Sequence, residues 1–298
     1  MTTCTRTGAL PIGFRRGGSP WQKDLGAVLR FAKDSAFAGI DVGSLEAAEV
    51  QKILDAGLKI GSVDLKQPWN DLCCTDAGRR RATVDVNVAY IRAMLALGVT
   101  NFFCVMIPDN HAGKRTENMD LAVAGYGALC AAVAGTPARI VIEGWPGGAP
   151  HYSSLCCTPE SYRTFFKAVA SDIAAVNFAP SHLVRMGIDP LRFLGEFAPR
   201  VAHAHGKDTE LFADALYEYG NLQGATTATA KGHGYGGLTW RYAIPGHGGI
   251  PWSRLLAVLK DAGYKGMIFI ELEDENFSGS EEGEKRGLCA ARDFLMHV

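Results

Sequence analysis

The sequence predicts one α/β domain over residues 1–298, a single (β/α)8 TIM barrel with a long insertion between the seventh strand and its helix. Three observations lead to this prediction. Short apolar segments typical of buried strands alternate eight times with helical patterns. Most of the helical patterns end at a glycine, as helices commonly do. No linker or shift in composition divides the 298 residues, so eight parallel strands are expected to close into one barrel.

The predicted strands are short and mostly apolar, and glycine or proline often stands beside them. The fifth ends in Glu143 and the eighth in Glu271. A buried parallel strand with a carboxylate at its C-terminal end is typical of the catalytic face of such a barrel. In chain order the strands are predicted at residues 10–14, 39–43, 58–65, 101–107, 139–143, 174–178, 201–205 and 267–271.

Caps and breakers predict where the helices begin and end. Pro20 stands near the start of the first helix, and Thr158 with Pro159 opens a later one. Ser44 is the expected N-cap of the second helix, and Gly57 its stop. The predicted helices are residues 20–35, 45–56, 78–97 and 118–134, one from 159, one from 190, then 252–262 and 281–296.

Residues 208–249 interrupt this alternation. The segment is far longer than a typical connection between a strand and its helix, so it predicts an extended loop or lid, or an arm for association. Its glycine-rich middle and the run Trp240-Arg241-Tyr242 indicate a loop that folds over something.

Composition excludes some classes of protein. The formal net charge is −1, so no basic surface for nucleic acid is indicated. No apolar run approaches the roughly 18 residues that predict a membrane span, and the N-terminus has no signal-peptide pattern. The eight cysteines include no CxxC pair, which favours reduced thiols in a cytoplasmic protein; a reactive or metal-binding thiol is the alternative.

Carboxylates and imidazoles stand at the C-terminal ends of four predicted strands. Glu143 ends the fifth, His182 follows the sixth, His205 lies on the seventh and Glu271 ends the eighth. These ends surround one mouth in a barrel, and mixed oxygen and nitrogen ligands suit Mn²⁺, Co²⁺, Zn²⁺ or Mg²⁺. His203 alternates with His205 and is interpreted as a structural histidine.

The motifs in this order resemble the xylose isomerase-like barrel superfamily, in particular its sugar phosphate isomerase/epimerase group. The resemblance is strongest from Glu143 onward. It implies a metal held by a Glu, an Asp, a His and a Glu after strands five to eight. The matching pieces are Val141-Ile142-Glu143-Gly144, Asn177 to Leu183, His203 to Thr209, Ile244 to Gly248 with Pro251-Trp252, and Ile270-Glu271.

One ligand of the family pattern is missing. Glu143, His205 and Glu271 match, but Ala179 stands where the family has Asp. Three consequences are open: His182 is the fourth ligand, water fills the position, or metal binding is weak or absent. Two carboxylates and one imidazole still suit a divalent ion, so one bound ion is expected, Mn²⁺ first, with Co²⁺, Zn²⁺ or Mg²⁺ as alternatives.

The resemblance implies an isomerase or epimerase of a sugar, keto-sugar or cyclitol that transfers a proton through an enediolate. In this interpretation the ion acts as a Lewis acid, and Glu143 and Glu271 remove and return the proton. Lys207 is either a substrate contact or a solvated loop charge. The candidate substrate-binding residues are His182, Lys207, Arg241 and Trp145.

Two other functions are kept. The same site suits a β-elimination, as in a dehydratase of the inosose dehydratase type. Alternatively, Ala179 marks a degenerate barrel that binds a sugar without turnover. An abasic-site endonuclease is disfavoured, because the second and third strands lack the additional histidines. Substrate identity, phosphorylation and homo-oligomerisation stay open.

Overall fold

The computed structural model describes residues 3–149, 151–222, 224–226 and 229–298. Residues 223, 227 and 228 of the predicted insertion therefore lie outside the described part. The chain forms two compact units that interleave along the sequence. The first comprises Met1–Ile40, Ala179–Gly195 and His205–Val298, and the second comprises Asp41–Phe178 and Glu196–Ala204.

Ten strands occur among the described residues, eight of them in a barrel. In chain order they are β1 Ile12–Arg15, β2 Gly39–Val42, β3 Lys59–Asp64, β4 Asn101–Val105, β5 Arg139–Glu143, β6 Ala174–Phe178, β7 Val201–Gly206, β8 Asp208–Leu211, β9 Trp240–Ala243 and β10 Ile268–Ile270. The parallel barrel closes in the order β1-β10-β7-β6-β5-β4-β3-β2, and β8 with β9 forms a separate two-stranded sheet. The predicted α/β barrel with its long insertion is thus confirmed.

Helices follow most barrel strands. Within the described residues, none combines the length and the apolar character that crossing a membrane would require. The helices are α1 Pro20–Lys23, α2 Leu25–Asp34, α3 Ala47–Asp55, α4 Ala77–Leu95, α5 Arg115–Ala132, α6 Pro159–Ala168, α7 Pro180–Arg185, α8 Pro190–Phe197, α9 Ala213–Tyr219, α10 Trp252–Asp261 and α11 Glu281–His297, with 3-10 turns at Trp69–Cys73 and Ala198–Arg200.

In the first unit, β1 pairs with β10, so that Gly13 lies opposite Phe269. A Cβ atom on Gly13 would lie 2.6 Å from the Phe269 ring and 2.6 Å from the Gly39 carbonyl oxygen. Only glycine fits this close approach without a shift of the neighbouring strands. The pairing ends at Ile270, directly before Glu271.

In the second unit, strand register brings polar residues side by side. Val105 of β4 lies opposite Glu143 of β5, and Glu143 lies opposite Asn177 of β6. Asn177 in turn lies opposite His203 of β7, after a register shift between Val176 and Asn177. Such a shift is typical of a β-bulge, which re-aims a side chain near functional sites. Three neighbouring strands therefore present Glu143, Asn177 and His203 at one level.

An apolar cluster supports these strands from within the second unit. Its members belong to β4, β5 and β6, and partly buried side chains pack around them. The burial of such side chains stabilises the fold by roughly 25 cal/mol per Å² of apolar surface. The core of the cluster is Phe103, Val105, Val141 and Ala175, with Trp69, Ile107, Trp145 and Ala202 packed against it.

Several predicted helix boundaries were wrong. The first predicted helix is two helices, because Asp24 has extended backbone angles and its side chain caps α2 through the Ala27 N–H. Ser44 is not the N-cap of α3; Glu46 holds that position and donates its N–H to the Glu49 carboxylate. The six-residue α7 escaped prediction, since it is too short to show helical periodicity.

The insertion contains regular structure that the sequence did not predict. Strands β8 and β9 pair antiparallel, and α9 lies between them. Buried Asp208 anchors the segment by accepting hydrogen bonds from Trp252 Nε1 and from the N–H groups of Thr209, Gly246 and Ile250. Burial raises the pKa of Asp208, although these hydrogen bonds oppose the rise. An acidic residue predicted only as part of a family motif is thus a structural anchor.

Candidate active site

In the first unit, Glu271 lies among three basic side chains. Its N–H donates to the Gly206 carbonyl at 3.2 Å, which sets Glu271 beside the end of β7. Its Oε2 is 2.6 Å from Lys207 Nζ and 3.3 Å from His205 Nδ1, and its Oε1 is 3.7 Å from Arg15 Nε. Three residues predicted for the site, His205, Lys207 and Glu271, are therefore neighbours.

The charge of Glu271 follows from these contacts. Burial alone would raise the pKa of Glu271, but Lys207, His205 and Arg15 together hold it well below its usual value of 4.5. Opposite charges within about 4–6 Å favour the ionised form of a carboxyl group. Glu271 is therefore a carboxylate at neutral pH.

Lys207 is buried, which excludes the interpretation as a solvated loop charge. Its Nζ lies 2.8 Å from Glu273 Oε2 in addition to its contact with Glu271. The same ammonium stands 4.5 Å from the centre of the Tyr242 ring. A desolvated ammonium between two carboxylates is the charge arrangement that a buried lysine requires.

His182 lies on α7 and is buried. Its Nδ1 is 2.6 Å from Tyr242 Oη, which also accepts a hydrogen bond from Arg185 Nη1 at 2.7 Å. One ring nitrogen of His182 and one carboxylate oxygen of Glu271 lie within 4.8 Å of each other. The structure thus brings together His182, His205 and Glu271 from the predicted ligand set.

The Tyr242 contact controls what His182 can do. Burial raises the pKa of Tyr242 to about 12, despite the opposing charges of Lys207 and Arg185, so its hydroxyl stays protonated. If Tyr242 donates to Nδ1, a neutral His182 carries its proton on Nε2 and is a donor for substrate. If Nδ1–H donates to Tyr242, Nε2 has the lone pair that a metal needs.

In the second unit, Glu143 is also buried. Its Oε2 accepts a hydrogen bond from Asn177 Nδ2 at 2.9 Å. Asn177 Oδ1 lies 2.8 Å from His203 Nδ1, and His203 Nε2 lies 3.0 Å from Asp41 Oδ1. His203, interpreted from the sequence as structural, is thus a member of a buried polar network that ends at Glu143.

Two predicted substrate contacts lie in other surroundings. Arg241 Nη2 is 2.7 Å from Glu210 Oε2, and its Nη1 is 3.3 Å from Asp274 Oδ1. Trp145 packs against the apolar cluster of the second unit. Arg241 is therefore already engaged by acids of the insertion and its neighbourhood.

Ala179 is buried and is the N-cap of α7, without a side-chain cap.

Sequence reasoning did not single out Asn177, Asp41 or Tyr242. Asn177 and Asp41 stand inside otherwise apolar strands, Ala-Ala-Val-Asn-Phe and Gly-Ile-Asp-Val. A polar residue in such a strand must find a partner when buried, and this was the available signal. Nothing in the sequence around Tyr242 indicates its contact with His182, because the two residues are 60 positions apart.

The donors of the first unit suit a divalent ion. An imidazole nitrogen and a carboxylate oxygen lie within 4.8 Å of each other, and a shared ion with two bonds of about 2.0–2.2 Å each would draw them to within about 4.4 Å. A bound ion would share the Glu271 carboxylate with the Lys207 ammonium. Lys207 also contacts Glu273, so it would still have a carboxylate partner. The residues present therefore fit a divalent metal.

Comparison with known proteins adds the family. A family model described as xylose isomerase-like TIM barrel matches residues 26–294. The chain belongs to this family. Over 128 residues it is 29% identical to the uncharacterized protein YfiH of Bacillus subtilis strain 168, a match that covers 42% of this chain and only 39% of YfiH.

Three solved structures share the fold but are distant in sequence. A xylose isomerase domain protein from Alicyclobacillus acidocaldarius superposes with a TM-score of 0.69 at 15% identity, covering 96% of this chain and 98% of that one. A D-tagatose 3-epimerase-like protein gives 0.68 at 16%, covering 95% of each chain. The IolI protein with a bound zinc atom gives 0.63 at 14%, covering 95% of this chain and 94% of that one. At these identities the likeness establishes the fold.

Proposed function

We propose that this xylose isomerase-like protein is a divalent-metal-dependent isomerase or epimerase of a sugar, keto-sugar or cyclitol. The observation that carries the proposal is that His182 and His205 both lie close to the ionised carboxylate of Glu271. The description of one structural relative as D-tagatose 3-epimerase-like and the zinc atom in another support it.

The proposed ligands are Glu271, His205 and His182 in the first unit, joined by Glu143, which ends β5 of the barrel. Parallel barrels gather the C-terminal ends of their strands at one face. Mn²⁺ is the first candidate, with Co²⁺, Zn²⁺ and Mg²⁺ as alternatives. The ion, when bound, would supply Lewis-acid polarisation of the substrate carbonyl.

Glu143 and Glu271 are the proposed proton acceptors. The reaction removes a proton from the carbon beside the carbonyl and returns it there or to the neighbouring carbon, through an enediolate. Glu271 meets the first requirement of a base, because its neighbours keep it ionised at neutral pH. Glu143 meets the requirement of a defined orientation, because Asn177 holds one of its oxygens.

The proposed substrate is a small polyhydroxylated molecule. Lys207 and His182 offer donors beside Glu271, and Trp145 and Arg241 stay candidates for contacts with sugar hydroxyls. Residues 208–249, whose described part contains the two-stranded sheet β8–β9 and α9, are proposed as a lid or association arm on a single-domain protein.

The first test is solvent-deuterium exchange. A panel of keto-sugars and inososes, incubated with protein and Mn²⁺ in D₂O, is expected to gain deuterium beside the carbonyl, detected by NMR. Glu143→Gln and Glu271→Gln are each expected to lower the rate by at least about 100-fold, as loss of a general base typically does. If the substrates take up deuterium as fast with the Glu271→Gln variant as with the wild type, Glu271 is not part of the mechanism.

Glu284→Gln is the matched control. Glu284 is also a buried carboxylate, and it accepts hydrogen bonds from Ser19, Trp21 and Gln22. Its loss is expected to lower stability without changing the exchange rate per folded molecule. Elemental analysis of protein purified without a metal-affinity step is expected to give one Mn, Co or Zn per chain after loading. A chain that takes up no Mn²⁺ would favour the non-catalytic sugar-binding barrel.

A further inference from the structure

We propose that Asn177 is a positioning residue for Glu143, and that the Asp41–His203 pair holds the Asn177 amide in the orientation this requires. The proposal rests on the proposed function, since it assigns Glu143 to the site. The four residues form one continuous hydrogen-bonded network, with contacts of 2.9, 2.8 and 3.0 Å.

The network is built by the strands themselves. Glu143, Asn177 and His203 are register partners on β5, β6 and β7. The register shift between Val176 and Asn177 sits at the position where the chain must aim Asn177 at both neighbours. All four side chains, including Asp41 on β2, are at most 4% exposed. Breaking one of these hydrogen bonds therefore leaves buried polar groups without water to replace the lost partner, which costs free energy.

The chemistry of the amide explains why a histidine stands next to it. An asparagine side chain offers a donor on Nδ2 and an acceptor on Oδ1, and the two ends differ only in this respect. In the orientation that lets Nδ2–H donate to the Glu143 carboxylate, Oδ1 faces His203 and accepts a hydrogen bond only from a protonated Nδ1. Asp41, bonded to His203 Nε2, holds the imidazole in place from its other side, as the outer partners of metal-site residues commonly do.

A neutral donor has a specific consequence for Glu143. The Asn177 amide orients one carboxylate oxygen of Glu143 without itself adding a positive charge. An ammonium in the same place would compete with an ion or with a proton. The geometry therefore points to orientation, and not charge pairing, as the role of Asn177.

The experiment measures Mn²⁺ affinity, by calorimetry on the full-length protein, alongside exchange kinetics. Asn177→Leu keeps the branched shape of the side chain but removes both hydrogen bonds, and it is expected to weaken Mn²⁺ binding by about 10–100-fold. It should also lower kcat with little change in KM. Asp41→Leu is expected to act in the same direction, whereas Asp41→Asn, which still bonds to His203, should stay within about threefold of the wild type.

Asn101→Leu is the matched control. Asn101 is also an asparagine of a barrel strand, and its amide donates to the Gly61 carbonyl of β3. It lies at the start of β4, whereas Asn177 lies near the end of β6. Asn101→Leu should destabilise the protein without changing Mn²⁺ affinity. Equal effects of Asn101→Leu and Asn177→Leu on affinity would overturn the proposal, as would an unchanged affinity in Asn177→Leu.

A second readout separates this proposal from the proposed function. In metal-free protein, the Nδ2 protons of Asn177 are expected to exchange slowly with solvent in the wild type and in Asp41→Asn, and at least tenfold faster in Asp41→Leu. Slow exchange in a protein that binds no Mn²⁺ would reject the metal site but keep the network. Fast exchange in the wild type would reject the network whatever the protein catalyses.

Discussion

The two carboxylates proposed for catalysis make different close contacts. Glu271, in the first unit, lies 2.6 Å from a buried ammonium and 3.3 Å from an imidazole. Glu143, in the second unit, accepts a hydrogen bond from the neutral amide of Asn177. The first arrangement sets the charge of a carboxyl group, and the second sets its direction. Glu271 and Glu143 match the same family pattern, but the close contacts of Glu271 control its charge, whereas Asn177 controls the orientation of Glu143.

This difference suggests a division of labour. Lys207 can supply positive charge next to Glu271 before any ion is bound, and Asn177 cannot do so for Glu143. Loss of Lys207 should therefore act on the charge of Glu271, and loss of Asn177 on the orientation of Glu143.

The largest effect is expected from Lys207→Met. Removing the ammonium leaves Glu271 and Glu273 without their shared buried cation. The free energy of unfolding of the metal-free protein should fall by about 3 kcal/mol, the lower end for a broken buried pair. Mn²⁺ should then bind more tightly than to the wild type, because the competing cation is gone. Urea unfolding and calorimetry measure the two quantities.

Lys66→Met is the control for that experiment. Lys66 Nζ lies 2.7 Å from Glu46 Oε1, as close as the buried pair, but Glu46 is 77% exposed. Its loss should cost less than about 1 kcal/mol, because solvent screens such a pair. Equal losses in Lys66→Met and Lys207→Met would contradict the role assigned to the buried ammonium.

The pH dependence of stability should come from Glu271 in a predictable direction. Its pKa in the folded protein is held well below the usual 4.5, so its stabilising contribution is present above pH 4.5 and is lost as the pH falls below that value. In metal-free protein, the Glu271→Gln variant should be less stable than the wild type at about pH 5. The difference in the free energy of unfolding should shrink as the pH falls to about 3, because the wild type loses the contribution of Glu271. Parallel stability curves for the two proteins would contradict this assignment.

The smallest effect on stability is expected from Ala179→Asp. Ala179 is the N-cap of α7 and offers no side-chain cap, so Asp should add about 1 kcal/mol or less in metal-free protein. Tighter Mn²⁺ binding in addition would place position 179 next to the ion. A gain in stability alone would mean that the new carboxylate caps α7 and faces away from the metal.

Local signals in the sequence were sufficient for the barrel. Alternation of apolar strands with helices predicted eight strand positions, and the structure places a barrel strand at each of them. Thr158 with Pro159 marked the start of α6 correctly, since a cap is a local feature. The break at Asp24 and the short α7 were missed, because each depends on packing more than on periodicity.

By itself, the sequence determined the (β/α)8 fold and placed Glu143, His205 and Glu271 at strand ends, because period and order along the chain encode both. Only the tertiary structure decided the surroundings of these residues. The Asp41–His203–Asn177–Glu143 network joins residues up to 162 positions apart, and it depends on the register of β5, β6 and β7. Register and side-chain burial are properties of contacts between distant segments, so no local pattern records them.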